Sequence, residues 1–157
     1  MMADAGFMRR AISEAEKGIA KGQAPFGACV TKFGKVIAVA HNEVWKRTDI
    51  TAHAEILAIQ RACKKLKTID LSNCAIYSTT EPCPMCYSAI HWAKMGKIFY
   101  GTRITDATKA GFHEMPIPDS LLKRLDADEV EITGDFLRAE CLELFRKWRE
   151  TKKQRTY

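Results

Sequence analysis

Apolar residues first recur at helical spacing over residues 7–21, where Phe7, Met8, Ala11, Ile12, Ala15 and Ile19 share a face and Gly22 marks a stop. The period then changes. The stretch "GACVTKFGKVIAVAHN" reads as a hairpin, two β-branched runs flanking Phe33-Gly34-Lys35. Helical spacing returns in "TAHAEILAIQRACKKL", opening at Ala52 or His53, with Ile56, Leu57, Ile59, Ala62 and Leu66 as its apolar face. Residues 73–79, "NCAIYST", predict a buried strand. "PCPMCYSAIHWAKM" predicts a helix whose prolines fall in the first turn, where they are tolerated. "GKIFYGT" is the next strand, and residues 103–118 form a long loop of the kind that is often functional. A short helix over 120–125, a strand over 129–133 and a helix from 136 to about 152 complete the chain. The order is α-β-β-α-β-α-β-α-β-α. An antiparallel hairpin followed by strands joined through helices predicts a mixed five-stranded sheet covered on both faces, a three-layer α/β/α sandwich.

Length and composition narrow the class. The 157 residues suit one domain, 1–157, and 46% hydrophobic with 28% charged residues suits a soluble globule. No apolar run approaches the ~18 residues that span a bilayer, so no membrane partner is expected. The N-terminal stretch lacks a long apolar core and carries acidic residues, which argues against a secretory signal. Of the six cysteines, Cys83 and Cys86 form a C-x2-C pair, whereas Cys29, Cys63, Cys74 and Cys141 read as small buried hydrophobes. Disulfides are the weaker reading without a secretory signal, and a cytoplasmic location follows.

Charge leaves a question open. The net charge of +6 is concentrated in "FRKWRETKKQRTY", where six cations face one Glu150. That run suits a solvated helix C-terminus, whose dipole favours cations, or an RNA-contacting end.

The chemistry gathers at two helix starts. One bears His53-Ala54-Glu55 and the other Pro82-Cys83-Pro84-Met85-Cys86. A helix N-terminus offers free amides and a partial positive charge, which favours thiolate over thiol. Side by side, the two starts would converge one imidazole and two thiolates, the three-ligand set of a catalytic zinc with an open fourth position. Alone, the C-x2-C pair could equally be redox-active or half a structural site, and His53 a helix cap. Glu55 decides between them. A structural zinc has no use for a spare carboxylate two residues from a ligand, but a proton acceptor and donor beside activated water does.

At these residues the sequence resembles the cytidine deaminase superfamily, through "PFGACV", "HNEV", "TAHAE", "EPCPMC" and "KIFYGT" across nearly the whole chain. Within it the chain is most similar to the bacterial guanine deaminases, on "DATKAGF", "AIHWA" and a basic C-terminus ending in an aromatic residue. The tRNA adenosine deaminases share "TAHAE" and the cysteines, but usually read Gly-Ser where this chain has Gly111-Phe112. The resemblance implies hydrolytic removal of an exocyclic amine from a purine, guanine to xanthine, with one Zn2+ per subunit held by His53, Cys83 and Cys86. Glu55 would shuttle protons. It also implies substrate contacts at Asn42, Phe26, Ala54, Trp92, Glu114 and Tyr157, with Tyr157 closing over the base. A homodimer is implied, its C-terminal segment 136–157 able to cross to the partner in a domain swap. Deamination of guanosine, or of adenosine in tRNA, stands as the alternative. One departure bears on substrate: the family's two acidic residues after "AGF" are here His113 and Glu114, and glutamate reaches one methylene further than aspartate.

Overall fold

In the computed structural model, which describes residues 3–127 and 129–157, the five strands form one mixed sheet in the order β2-β1-β3-β4-β5. β1 (Gly27–Lys32) pairs antiparallel with β2 (Lys35–His41) and with β3 (Cys74–Thr80). β3, β4 (Lys97–Thr102) and β5 (Glu131–Thr133) run parallel. The predicted mixed five-stranded sheet is therefore present.

Strand alternation sorts the two faces. Val30, Ile76, Ile98 and Ile132 form one cross-strand row, which meets α3 (Ala54–Leu66) and α4 (Pro84–Trp92). Cys29, Tyr77 and Phe99 form the opposite row, which meets α1 (Ala5–Ala20) and α7 (Arg138–Arg149). These two helices come close to the sheet at two glycines. A Cβ on Gly27 would lie 2.1 Å from the Ala11 carbonyl oxygen, and one on Gly101 would lie 2.2 Å from Cys141 Sγ. The edge strand β2 is blunted by α3, since Arg61 and Lys65 donate to the carbonyls of Val39 and Ile37.

Three elements depart from the sequence expectation. Two short helices, α2 (Val44–Arg47) and α5 (Ile104–Lys109), fall in stretches read as connections. Both are too short for a periodic signal, and α5 is fixed by caps, one of them from far away: the Asp106 and Glu81 carboxylates accept from the Arg103 and Ile104 amides at 2.8 and 3.2 Å. The last helix begins at Arg138 rather than 136, because Asp135 and Leu137 both take left-handed backbone angles. α6 (Asp119–Asp126) matches the predicted short helix within a residue at each end. Among the described residues, no helix is long and apolar enough to cross a membrane.

Candidate metal and active site

The two helix starts meet at the carboxyl end of β3, where ligands commonly bind in open α/β sheets. His53 is the N-cap of α3 and Cys83 the N-cap of α4, and neither side chain caps its own helix. Both are thereby free to point at a shared centre. Cys86, one turn into α4, completes the group. His53 Nδ1 lies 3.7 Å from Cys83 Sγ and 3.6 Å from Cys86 Sγ, and the three ligand atoms all lie within 4.8 Å of one another. Zinc bonds of about 2.3 Å to sulfur and 2.0–2.1 Å to nitrogen set a tetrahedral N···S edge of about 3.6 Å, so the spacing fits zinc.

The electrostatics of the trio also suit a cation. Cys83 is lowered to about 4 by its hydrogen bond with Cys86; burial opposes this and the His53 contact reinforces it. Cys86 is pushed well above its ordinary value by the same bond and by burial. Burial depresses His53, but Cys83 and the Glu55 charge outweigh it and hold the imidazole above its usual value. Two neighbouring thiols thus keep one proton between them, whereas a bound dication stabilises both as thiolates.

Glu55 is buried in the first turn of α3. Ser78 Oγ donates to its Oε1 at 2.8 Å, and Oε2 lies 3.6 Å from Cys86 Sγ. Ser78 therefore turns one oxygen away and leaves the other beside the trio. Burial raises the Glu55 carboxyl above the usual carboxylate range. Sequence reasoning missed Ser78. Its signal was a hydroxyl that follows Ile76 on the helix-facing side of the strand, a side that ends in a second hydroxyl at Thr80.

A small cavity opens next to these groups, lined by Phe26, Asn42, His53, Glu55, Thr80, Glu81, Cys83 and Glu114. Asn42 is fully buried; its Oδ1 accepts from the Val44 amide at 3.2 Å and its Nδ2 donates to the Tyr157 hydroxyl at 2.6 Å. Phe26 packs edge-on against Phe112, centroids 4.9 Å apart. Glu114 is raised to about 7, by burial first and by the nearby Cys83 charge second. Ala54 is buried at the first position of α3, where amides have no intrahelical carbonyl to meet. Tyr157 closes the mouth. Its ring lies 5.5 Å from that of His53 and 5.4 Å from that of Phe112, and its carbonyl oxygen accepts from the His113 amide at 2.8 Å.

Trp92 is not brought to this cavity. It ends α4 at 81% exposure, on a separate groove with Tyr87, Ser88, His91, Leu122, Leu125 and Asp126. The helix that presents Cys83 and Cys86 at its start carries its ninth residue away from them, at about 1.5 Å per residue. Glu81 is the reverse case, a cavity residue that sequence reasoning passed over.

These ligands and this fold define a zinc-dependent deaminase. Residues 1–102 match the model of the cytidine and deoxycytidylate deaminase zinc-binding region, and the chain belongs to that family. Among its relatives, guanine deaminase of Bacillus subtilis (strain 168) is 39% identical over 155 residues, 96% of this chain and 97% of the relative. The tRNA-specific adenosine deaminase of the same organism is 34% identical over 157 residues, 98% and 95% of the two chains. A solved structure of guanine deaminase from Nitrosomonas europaea superposes with a TM-score of 0.87 at 30% identity, covering 96% of this chain and 87% of that one.

Proposed function

We propose that this chain deaminates guanine hydrolytically to xanthine and ammonia, with zinc held by His53, Cys83 and Cys86. The observation that carries the reading is the cavity that Glu55, Asn42, Glu114 and Phe26 line together with His53 and Cys83, two of the three clustered ligands. Full-length likeness to guanine deaminases agrees with it. Zinc held by these three residues would supply a Lewis acid that polarises water and lowers its pKa towards about 7. Glu55 takes up a proton through Oε2 and returns it to the departing amine, with Oε1 held by Ser78. The Glu114 carboxylate accepts from the ring N–H and amine of the base, and the Asn42 amide fixes the opposite edge. Phe26 offers its ring to the purine, the Ala54 amide lies at the same helix start, and Tyr157 covers the bound base.

A second reading, deamination of adenosine in tRNA, draws on the 34% identical relative and the +6 charge. The mouth of the site weighs against it. Its rim is formed by Ile50, Pro84, Met85, His113, Glu114 and Met115, with no lysine or arginine among them. Much of the basic tail is already engaged: Arg146 pairs with Glu143 and Glu150, Lys147 with Glu16, and Arg155 lies over the Trp45 ring at 4.6 Å. We further propose one domain that acts as a cytoplasmic homodimer. The exposed Trp92 and Leu125 give a second copy an apolar face. Within one chain the tail reaches its own cavity, and a swap would seat the same Tyr157 in the partner's.

Ammonia release from guanine, guanosine, cytosine, cytidine, adenine, ammeline and an anticodon stem-loop with adenosine at the wobble position tests the assignment. Turnover of guanine well above the others is expected. Turnover confined to the RNA would replace the reading, and preference for guanosine or ammeline would move the specificity to His113 and Glu114.

A further inference from the structure

Glu81 joins β3 to the cysteine helix and is only 6% exposed. Its two oxygens serve two different helices. Oε2 accepts from the amide of Ile104, the first residue of α5, at 3.2 Å, and Oε1 accepts from the amide of Asp119, the first residue of α6, at 3.1 Å. Its own amide donates to the Thr102 carbonyl at 2.8 Å, which ties it to the end of β4. One carboxylate therefore satisfies orphan donors at two helix starts and faces the positive end of both dipoles. Residues 110–118, which connect those helices, have no regular structure and carry Phe112 and Glu114. Glu81 lines the same cavity as Glu114.

We infer that Glu81 is a positioning residue for substrate recognition: by capping α5 and α6 together it fixes both ends of segment 110–118, and so the place of Glu114 over the cavity. This rests on the reading in which Glu114 contacts the base. It gives Glu81 a task separate from the zinc ligands that follow it. A carboxylate is required because both contacts accept from N–H groups, and an amide offers only one acceptor oxygen.

The test is E81Q, which keeps the shape and removes one acceptor. Measured on the zinc-loaded full chain, zinc content should remain one per chain. Hydrogen exchange of amides within 110–118 should accelerate about tenfold, with the start of α3 unchanged. The KM for guanine should rise about tenfold while kcat falls less than about threefold, and in an E114Q background the added effect of E81Q should shrink below about twofold. Unchanged exchange in 110–118 would overturn the inference. So would loss of zinc, or a full E81Q effect persisting without Glu114. If the wild-type chain does not turn over guanine, the substrate reading fails, and exchange still decides the role of Glu81.

Discussion

The two walls of the cavity are held in different ways. The metal wall consists of two helix starts and one strand: His53 and Cys83 at N-caps, Cys86 one turn on, and Glu55 fixed by Ser78 of β3. The recognition wall is gathered from distant parts of the chain. Asn42 follows β2, Glu114 lies between α5 and α6, and Tyr157 is 115 residues from the asparagine it bonds. Aromatic packing joins them, with Phe112 meeting Phe26, Trp148 and Tyr157 at centroid distances of 4.9, 5.3 and 5.4 Å. The candidate metal ligands are thus placed chiefly by two helix starts, and the residues proposed to recognise the base by side-chain contacts over long sequence separations. Changes in the first wall should abolish turnover, and changes in the second should shift which molecule is turned over and at what concentration.

The sharpest break of this contrast is Glu55→Gln. It should retain zinc and lose about 10²- to 10⁴-fold in kcat, the contribution of a positioned proton carrier. Activity near wild type with zinc in place would remove Glu55 from the mechanism. Asn42→Ala acts on the other wall. Leaving buried partners unpaired costs about 1–3 kcal/mol, so kcat/KM for guanine should fall roughly 10- to 100-fold with the loss mainly in KM. An equal loss in kcat alone would move Asn42 to the chemical wall.

The tail separates ring from hydroxyl. Removing residues 151–157 should raise KM several-fold. Tyr157→Phe should leave KM unchanged or lower it up to about threefold, because it frees the Asn42 amide now bonded to the tyrosine hydroxyl. If both variants match wild type in steady-state kinetics, the tail is surface only.

The smallest effect concerns stability. Asp119 is 1% exposed, neither side-chain oxygen has a partner, and burial followed by the charges of Glu81, Glu55 and Cys83 raises it to about 9. An unfolded aspartate titrates near 3.9. The native state therefore keeps a proton that the unfolded state releases, so this group's contribution is complete below about pH 4 and is lost progressively up to about pH 9. Asp119→Asn should flatten that slope, gaining Tm relative to wild type between pH 5 and 8 in thermal melts. Parallel pH profiles for the two proteins would show that Asp119 ionises normally.

Much of this molecule was legible in one dimension. Strand alternation and helical spacing are local properties, and they placed five strands and the long helices within a few residues. Ligand types at helix starts are local too, and "TAHAE" with "EPCPMC" named the trio and Glu55, because each ligand's geometry is set by the turn on which it sits. What lies between distant segments was less legible. The short α5 depends in part on a cap from Glu81, 23 residues away, and α6 on the same carboxylate, 38 residues away. Ser78 and Glu81 gained their places only when β3 was laid beside α3, α5 and α6. Trp92 lost its expected place because helix rise carried it out of reach. Local backbone preferences encode the class of fold, and they marked the candidate ligand set and the residue proposed to carry the proton. Which residues face the cavity opposite the ligand trio was settled by the folded chain alone, since those contacts join segments whose separation no local preference can measure.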